Sequence, residues 1–397
     1  MRILLLCEGN AEDVVASSGY AKSLLDALRA AGHDVHTGDV DLHGSYRWAA
    51  AARMFSPRRR RWAVRYHTGA LPFQLRSRNA AAAIAKTGMP LDAILQIGAT
   101  FSPEGRGRVP YFQYCDSSMR MSADAGHSWA AALGERELAS VIARERRVYD
   151  GATAIFTFSE FVRQSFVNQV GVPADKVVAS YVGPNLDLAS IRPRAARRPG
   201  APPTILFVGK EFERKGGDVL LAAFRRVRAH LADARLTIIG PPDLTVDDPG
   251  VTSLGFLRKD DPESLRVLTD AYANADVFCL PTRYEPFGIV ILEAMFHGLP
   301  CIATRDWSIP EMIRDGETGY TVPVGDEVTL ADRLASLLAD PSRARTMGDA
   351  GLAHARERFT WPNVAERITR EMQRRLGVTS TGRDAARHAP VGAGGRG

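Results

Sequence analysis

Residues Pro281–Asp326 read PTRYEPFGIVILEAMFHGLPCIATRDWSIPEMIRDGETGYTVPVGD. The run begins where an apolar strand, Asp276–Leu280, stops, and it continues into a helix over Gly288–Gly298 and a strand over Cys301–Thr304. Pro286 suits a first-turn position, where its missing N–H costs nothing. The helix start leaves the backbone donors of Phe287, Gly288, Ile289 and Val290 free to face a cleft, and such a start is an anion site. Glu285 lies on the loop before the helix. Glu293 lies inside it, eight residues and about two turns further on. A buried carboxylate facing a diol accepts two hydrogen bonds, each contributing about 1.5–3 kcal/mol when charged, and a ribose 2′,3′-diol is such a partner. A glutamate favoured by the helix dipole at 285 and a solvated one at 293 is the plainer alternative. However, Glu293 stands within IVILEAMFHG, too apolar a context for a solvated face.

The same strand–helix alternation extends in both directions. Toward the N-terminus, strands are expected at Arg2–Cys7, Asp34–Thr37, Asp92–Ile97, Val109–Tyr114, Ala154–Phe158 and Lys176–Tyr181, with helices at Tyr20–Ala31, Glu135–Tyr149 and Glu160–Val170. The Pro- and Arg-rich IRPRAARRPGAPP, Ile191–Pro203, then reads as a linker. The alternation restarts with strand Thr204–Val208, helix Gly217–Ala232, strands Arg235–Ile239 and Val251–Leu254 and helix Glu263–Asn274. It ends with strand Gly319–Val322 and helices Glu327–Ala339, Ser342–Arg358 and Trp361–Leu376. Such alternation predicts an α/β protein of two doubly wound, Rossmann-like domains facing a cleft. The divisions are 1–188, a linker at 189–203, a second domain at 204–358, a helix at 359–376 and a tail at 377–397. The tail, rich in Gly, Ala and Arg, is expected to be disordered.

Composition agrees with this division. The chain has 397 residues with 45% hydrophobic and 24% charged, enough for two cores at about 150 residues per domain. No run approaches the length of a membrane-spanning helix. MRILLLCEGN reads as a buried strand and not as a signal peptide. Cys7, Cys115, Cys279 and Cys301 sit apart in apolar contexts, which argues against a zinc site or a disulfide framework and fits a reducing cytoplasm. The net charge of +6 is local. Leu42–Leu91 contains no Asp or Glu, but holds Arg47, Arg53, Arg58, Arg59, Arg60, Arg61, Arg65, Arg76, Arg78 and Lys86. Basic residues elsewhere are mostly Arg, so each of the six lysines stands out.

EPFGIVILEAMFHGLP, with Pro310-Glu311 and DGETGYTVPVGD after it, resembles the signature of the family 4 retaining glycosyltransferases of the GT-B fold. Ile205–Phe224, ILFVGKEFERKGGDVLLAAF, is similar to that family's G-R-x(4–5)-K-G segment, with Lys210 for the usual Arg and Lys215 in the Lys position. Ser17–Val35 resembles its Gly-Gly loop and first helix, with Ser18-Gly19 in the loop. FTWPNVAERI resembles the C-terminal helix that crosses back onto the first domain. The likeness covers about Met1 to Leu376. One position departs from it: Cys115-Asp116 stand where the family usually has His-Asp. The family His helps to bind or orient the donor sugar, and a Cys cannot replace its charge or hydrogen bonds.

The resemblance implies transfer of a hexose-type sugar, with retention, from a nucleoside diphosphate to an acceptor hydroxyl. Lys210, Lys215, the helix start and backbone at Ser18, Gly19 and Gly209 would hold the diphosphate. Glu293 would take the ribose, backbone near Phe256 and Leu257 the base, and Glu285 the sugar hydroxyls. Asp116 either holds a sugar or acceptor hydroxyl or caps a turn. The leaving phosphate oxygen would take the acceptor proton, with no metal and no cofactor besides the donor, and uridine is favoured over guanosine on family frequency. Asp39-Val-Asp41 is expected to be a loop and not a metal site. Trp48, Phe55, Trp62, Tyr66 and Phe73 among the arginines of residues 47–78 suit an anionic membrane surface or a lipid-linked or acidic acceptor. A solvated loop or a partner patch explains them equally. A cytoplasmic protein, with the inner face of the membrane as a peripheral site, follows from this. A sugar-nucleotide epimerase, a non-catalytic GT-B scaffold and an arginine-rich nucleic-acid binder are the alternatives, and no recognised motif supports the last.

Overall fold

The computed structural model describes residues 1–13, 19–188, 191–195 and 200–377. The first half runs β1 (Arg2–Cys7), α1 (Tyr20–Ala30), β2 (Asp34–Asp39), α2 (Gly44–Arg53), α3 (Arg59–Thr68), α4 (Ala70–Lys86), β3 (Ala93–Ile97) and β4 (Tyr111–Cys115). It continues with α5 (Met119–Asp124), α6 (Ser128–Ala131), α7 (Glu135–Gly151), β5 (Ala154–Thr157), α8 (Glu160–Ser165) and β6 (Val177–Ala179). The second half has β7 (Thr204–Val208), α9 (Gly217–Arg228), β8 (Arg235–Ile239), β9 (Val251–Ser253), α10 (Pro262–Asn274), β10 (Val277–Leu280) and α11 (Ile289–Phe296). β11 (Cys301–Thr304), α12 (Ile309–Met312), β12 (Gly319–Val322), α13 (Glu327–Ala339), α14 (Pro341–Arg358) and α15 (Trp361–Leu376) complete it.

The strands form two six-stranded sheets, ordered β2-β1-β3-β4-β5-β6 and β12-β11-β10-β7-β8-β9. Every pairing between these strands is parallel. The central strands β3, β4, β10 and β11 are buried along their whole length. That is why they read as continuous apolar runs and not as alternating ones: helices cover both faces of a parallel sheet. Helix starts are fixed by short polar side chains. Ser159, Asp261 and Asp326 accept the backbone N–H of Val162, Ser264 and Thr329 at 3.0, 2.9 and 2.9 Å.

Two segments depart from the sequence reading. The acid-free stretch forms helices α2–α4, because its alanines are strong helix formers and its few apolar side chains find a small core of Leu42, Ala50 and Leu75. The described part of the linker, although Arg192, Pro193 and Ala195 are exposed, is tied to the second domain. Arg194 N–H donates to His297 O at 2.7 Å, Ala195 N–H donates to Ala273 O at 2.8 Å, and the nearly buried Arg194 guanidinium pairs with Asp276 at 3.1 Å. Residues 378–397 of the expected tail lie outside the described residues.

The last helix, α15, packs on α1. Its buried Val364, Ala365, Ile368 and Met372 join Leu24, Leu25 and Leu28 of α1 in one hydrophobic core that continues into the second sheet.

Candidate active site

The C-terminal ends of the two sheets face a cleft of about 670 Å³ lined from both halves. β10 delivers the chain to its floor. The loop after β10 must pass close under the start of α9, and Gly216 makes this possible. It adopts φ +75°, and a Cβ there would stand 1.9 Å from the carbonyl oxygen of Pro281. The adjacent Lys215 then points into the cleft and pairs with Glu285. Both side chains are largely buried, 14% and 7% exposed. Lys210 also lines the cleft, and its ammonium sits 5.0 Å from the centre of the Phe256 ring.

Glu293 projects from α11 and is 1% exposed. One carboxylate oxygen pairs with Lys259, and the other accepts from Tyr272 Oη at 3.2 Å. Tyr272 stacks on His297 with ring centres 4.8 Å apart, and His297 Nδ1 is 2.8 Å from Glu293 O. Burial lowers the His297 imidazole and lifts the Tyr272 phenol, so both stay neutral beside the carboxylate. Lys259 Nζ also reaches the carbonyl of Asn185 in the first half at 3.3 Å.

The helix start has fewer free donors than its sequence suggests. Pro286, Phe287, Ile289 and Val290 line the cleft, but Ile289 N–H turns back to Phe287 O at 3.2 Å. Gly288 is the N-cap, without a side-chain bond. Gly209 lines the cleft; Gly19 caps α1 in the left-handed region at φ +91°, next to the cleft-lining Tyr20. Phe256 and Leu257 do not line the cleft, although Lys210, which does, rests on the Phe256 ring. Ser18 lies outside the described residues.

On the first-domain side the pleat of β4 separates Cys115 from Asp116. Cys115 is 2% exposed and packs with Met121, Val148 and Tyr149. Asp116 opens onto the cleft with Ser117 Oγ donating to it at 3.3 Å. Protein surrounds this carboxyl closely enough that burial, reinforced by the charge of Glu285, pushes it above its usual range. Glu145 of α7 lines the same wall, accepts the Met119 N–H at 2.9 Å and is pushed up by burial to about 7. An imidazole does reach this region, although not from position 115. His127 stacks on Tyr284 with ring centres 4.5 Å apart, and burial together with Arg214 keeps it neutral.

Lys259, His127 and Glu145 had no motif to announce them. Lys259 alone had a signal, as one of six lysines in an arginine-rich chain. Asp39 ends β2 and accepts the N–H groups of Gly9 and Asp41 at 2.9 and 2.8 Å, with Asp41 on the loop that follows. Among the described residues no group of three His, Cys, Asp or Glu could hold a metal. No described helix is long and apolar enough to cross a membrane.

Residues 202–340 match the family model of the glycosyl transferases group 1. The phosphatidyl-myo-inositol mannosyltransferase of Mycobacterium leprae is 38% identical over 194 residues, covering 47% of this chain and 51% of that protein. The GDP-mannose-dependent alpha-(1-6)-phosphatidylinositol monomannoside mannosyltransferase of Mycobacterium tuberculosis is 30% identical, covering 56% of this chain and 62% of that protein. The D-inositol 3-phosphate glycosyltransferase of Nocardia farcinica is 32% identical, covering 59% and 56%. The chain thus spans between about half and just under two thirds of these three relatives. Among solved structures, a sucrose-phosphate synthase from Thermosynechococcus elongatus superposes with a TM-score of 0.70 at 20% identity, covering 96% of this chain and 100% of that one. An Anabaena protein solved with UDP-glucose superposes with a TM-score of 0.63 at 17% identity, covering 94% and 100%. These likenesses are to the fold. The second half thus matches the group 1 glycosyl transferases over residues 202–340, and both halves together carry the GT-B fold.

Proposed function

We propose that the chain transfers a sugar, with retention, from a nucleoside diphosphate to an acceptor hydroxyl. The observation that carries this reading is the pair of Lys–Glu couples, Lys215–Glu285 and Lys259–Glu293, facing one cleft between the two sheets. Each couple holds a cation ready for a phosphate and a carboxylate ready for a hydroxyl. Glu293, fixed by Tyr272, takes the ribose diol, and Glu285 takes the hydroxyls of the transferred sugar. Lys215 and Lys210, with the start of α11, stabilise the charge that develops on the leaving diphosphate. The leaving oxygen receives the acceptor proton, so this reading requires no separate base and no metal. Closing the cleft excludes the water that would otherwise hydrolyse the donor.

The donor base is read from a nucleotide panel. Family frequency favours uridine, whereas one mannosyl relative above is named for GDP-mannose. A nucleotide at 100 times its dissociation constant adds about 2.7 kcal/mol to stability. The expected result is a thermal shift with UDP or GDP that Glu293→Ala abolishes. No shift with either leaves a non-catalytic GT-B scaffold as the reading.

The helical insertion α2–α4 supports a further part of the proposal, a peripheral site on an anionic membrane at the cytoplasmic face. Trp48 and Phe55 are 75% and 61% exposed, Phe55 meets Trp62 at 5.8 Å, and Arg47, Arg53, Arg58, Arg59 and Arg60 stand beside them in the sequence. Aromatic rings flanked by basic side chains fit a headgroup layer. Sedimentation with phosphatidylglycerol vesicles is expected and should be lost with Trp48→Ala/Phe55→Ala. Equal binding to neutral vesicles would contradict the charge argument.

A further inference from the structure

The cations of the cleft lie on one wall, where Glu211, Glu285 and Glu293 pair with three of them. Lys210, Arg214, Lys215 and Lys259, the four cations that line it among the described residues, all come from the second domain. The first-domain wall presents Asp116, Glu145, Thr100, Ser122, His127 and Trp129. Among the described residues it has two carboxyl groups, hydroxyls, an imidazole kept neutral and an indole, and no Lys or Arg. The arginines nearest that wall are engaged elsewhere. Arg76, fully buried, is held by Glu8 at 2.8 Å and donates to His67 O at 3.0 Å. Arg144 donates to Ser140 Oγ at 2.8 Å and to Thr68 O at 2.5 Å. Arg60, whose charge is felt by His127, does not line the cleft.

A wall of this kind discriminates between acceptors. Carboxylates accept hydrogen bonds from hydroxyls. Trp129, 39% exposed and tilted over His67 at 5.7 Å, offers a flat face to the apolar side of a sugar ring. A phosphate in the same place would meet two carboxyl groups, while Arg214, the lining cation whose charge is felt by His127, is already held by Glu211 and Tyr284 O at 2.8 Å each; an interface rejects a ligand by such juxtaposition. We infer that the acceptor group held beside Asp116 and Glu145 is an uncharged polyol or sugar ring, and that a phosphorylated ring is excluded from this wall.

The inference rests on the glycosyltransferase reading for the word acceptor, but its test does not require turnover. Trp129 is the natural reporter: quenching or enhancement of tryptophan emission, with Trp129→Phe as control, is titrated for myo-inositol and methyl α-mannoside and for inositol 3-phosphate and mannose 6-phosphate. The titrations are run at about pH 8, above the Glu145 titration, with and without saturating nucleoside diphosphate. The expected result is binding of the neutral member of each pair at least about tenfold more tightly than its phosphate. Asp116→Asn/Glu145→Gln should narrow that ratio toward one, while nucleotide-induced thermal shifts persist. Equal or tighter binding of the phosphates, or no binding of any ring, overturns the inference. Loss of tight phosphate binding in Arg60→Ala would then place the phosphate at the rim. Nucleotide shifts report separately on the donor site, so a failed acceptor inference and a failed transferase reading give different patterns.

Discussion

At the scale of the residue, the cleft depends on carboxylates that would be costly to bury alone. Glu293 is tolerated in an apolar helix because Lys259 and Tyr272 satisfy it. Lys259→Met would take the cation from that carboxylate and leave it held by Tyr272. The variant should melt earlier and bind nucleotide at least about tenfold more weakly, measured by calorimetry and by a thermal-shift titration. Unchanged nucleotide affinity would show that Lys259 serves only the fold. Gly216→Ala should be more severe, since a methyl group cannot occupy the space of the Pro281 carbonyl. An insoluble or nucleotide-blind protein is expected, and wild-type binding would contradict the close approach described above. The sequence announced Glu293 because an acid stood where the helix pattern called for an apolar residue. It could not announce Lys259, whose partner lies 34 residues away, because no local pattern encodes a contact made by the fold. Position 115 shows the same limit: the motif pairs Cys115 with Asp116, but strand pleating decides which of two neighbours sees the cleft.

At the scale of the element, the segments after β11 act on the other domain. The Glu311 carboxylate accepts the N–H groups of Glu160 and Phe161, both at 2.8 Å, and so caps α8 of the first domain from the second. Ser308 Oγ meets Ser159 Oγ, the side-chain cap of the same helix, at 2.8 Å. The Pro-Glu of the family pattern was legible as a motif, but its role as a cap needed the neighbouring domain to be in place. Glu311→Ala should cost about 0.5–2 kcal/mol of stability, the usual range for a lost cap, and should weaken nucleotide binding by loosening the contact between the two walls of the cleft. Glu311→Gln, with one oxygen left, should fall between. A variant with full stability would show that the contact is incidental. Helix α7 carries a second prediction. Glu145 titrates near 7 in the fold, above the usual carboxyl value, so the folded state holds a proton that the unfolded state has released. Its contribution is therefore present at low pH and lost as the pH rises to about 7. Glu145→Gln should flatten stability between about pH 5 and 7 and raise the melting temperature at pH 8 on the order of 1–3 °C. A variant whose pH profile matches the wild type would place the titration elsewhere. Helices α2–α4 were missed for a different reason. Their arginines obscure the apolar stripe, and only Ala50, Val64 and five residues of α4 are buried.

At the scale of the whole molecule, the two sheets are legible from the chain because each repeats the period of strand and helix, yet the sequence does not show that they share a core. α15 closes that core. Trp361 Nε1 donates to Pro184 O at 2.8 Å, and the Trp361 ring lies so close to Gly183 that a Cβ there would be 2.6 Å away. The helix then lays Val364, Ile368 and Met372 against α1. Two independent domains would melt in two steps, and only the nucleotide-binding one would respond to nucleotide. A core continuous through α1, α15 and the second sheet predicts a single calorimetric transition that nucleotide raises as a unit. Ile368→Ala, which empties part of that core, should lower this midpoint by the equivalent of about 2–5 kcal/mol while leaving one transition. Two resolved transitions, with nucleotide moving only one of them, would show that the halves fold separately and that α15 is a tether, not a shared element of the core.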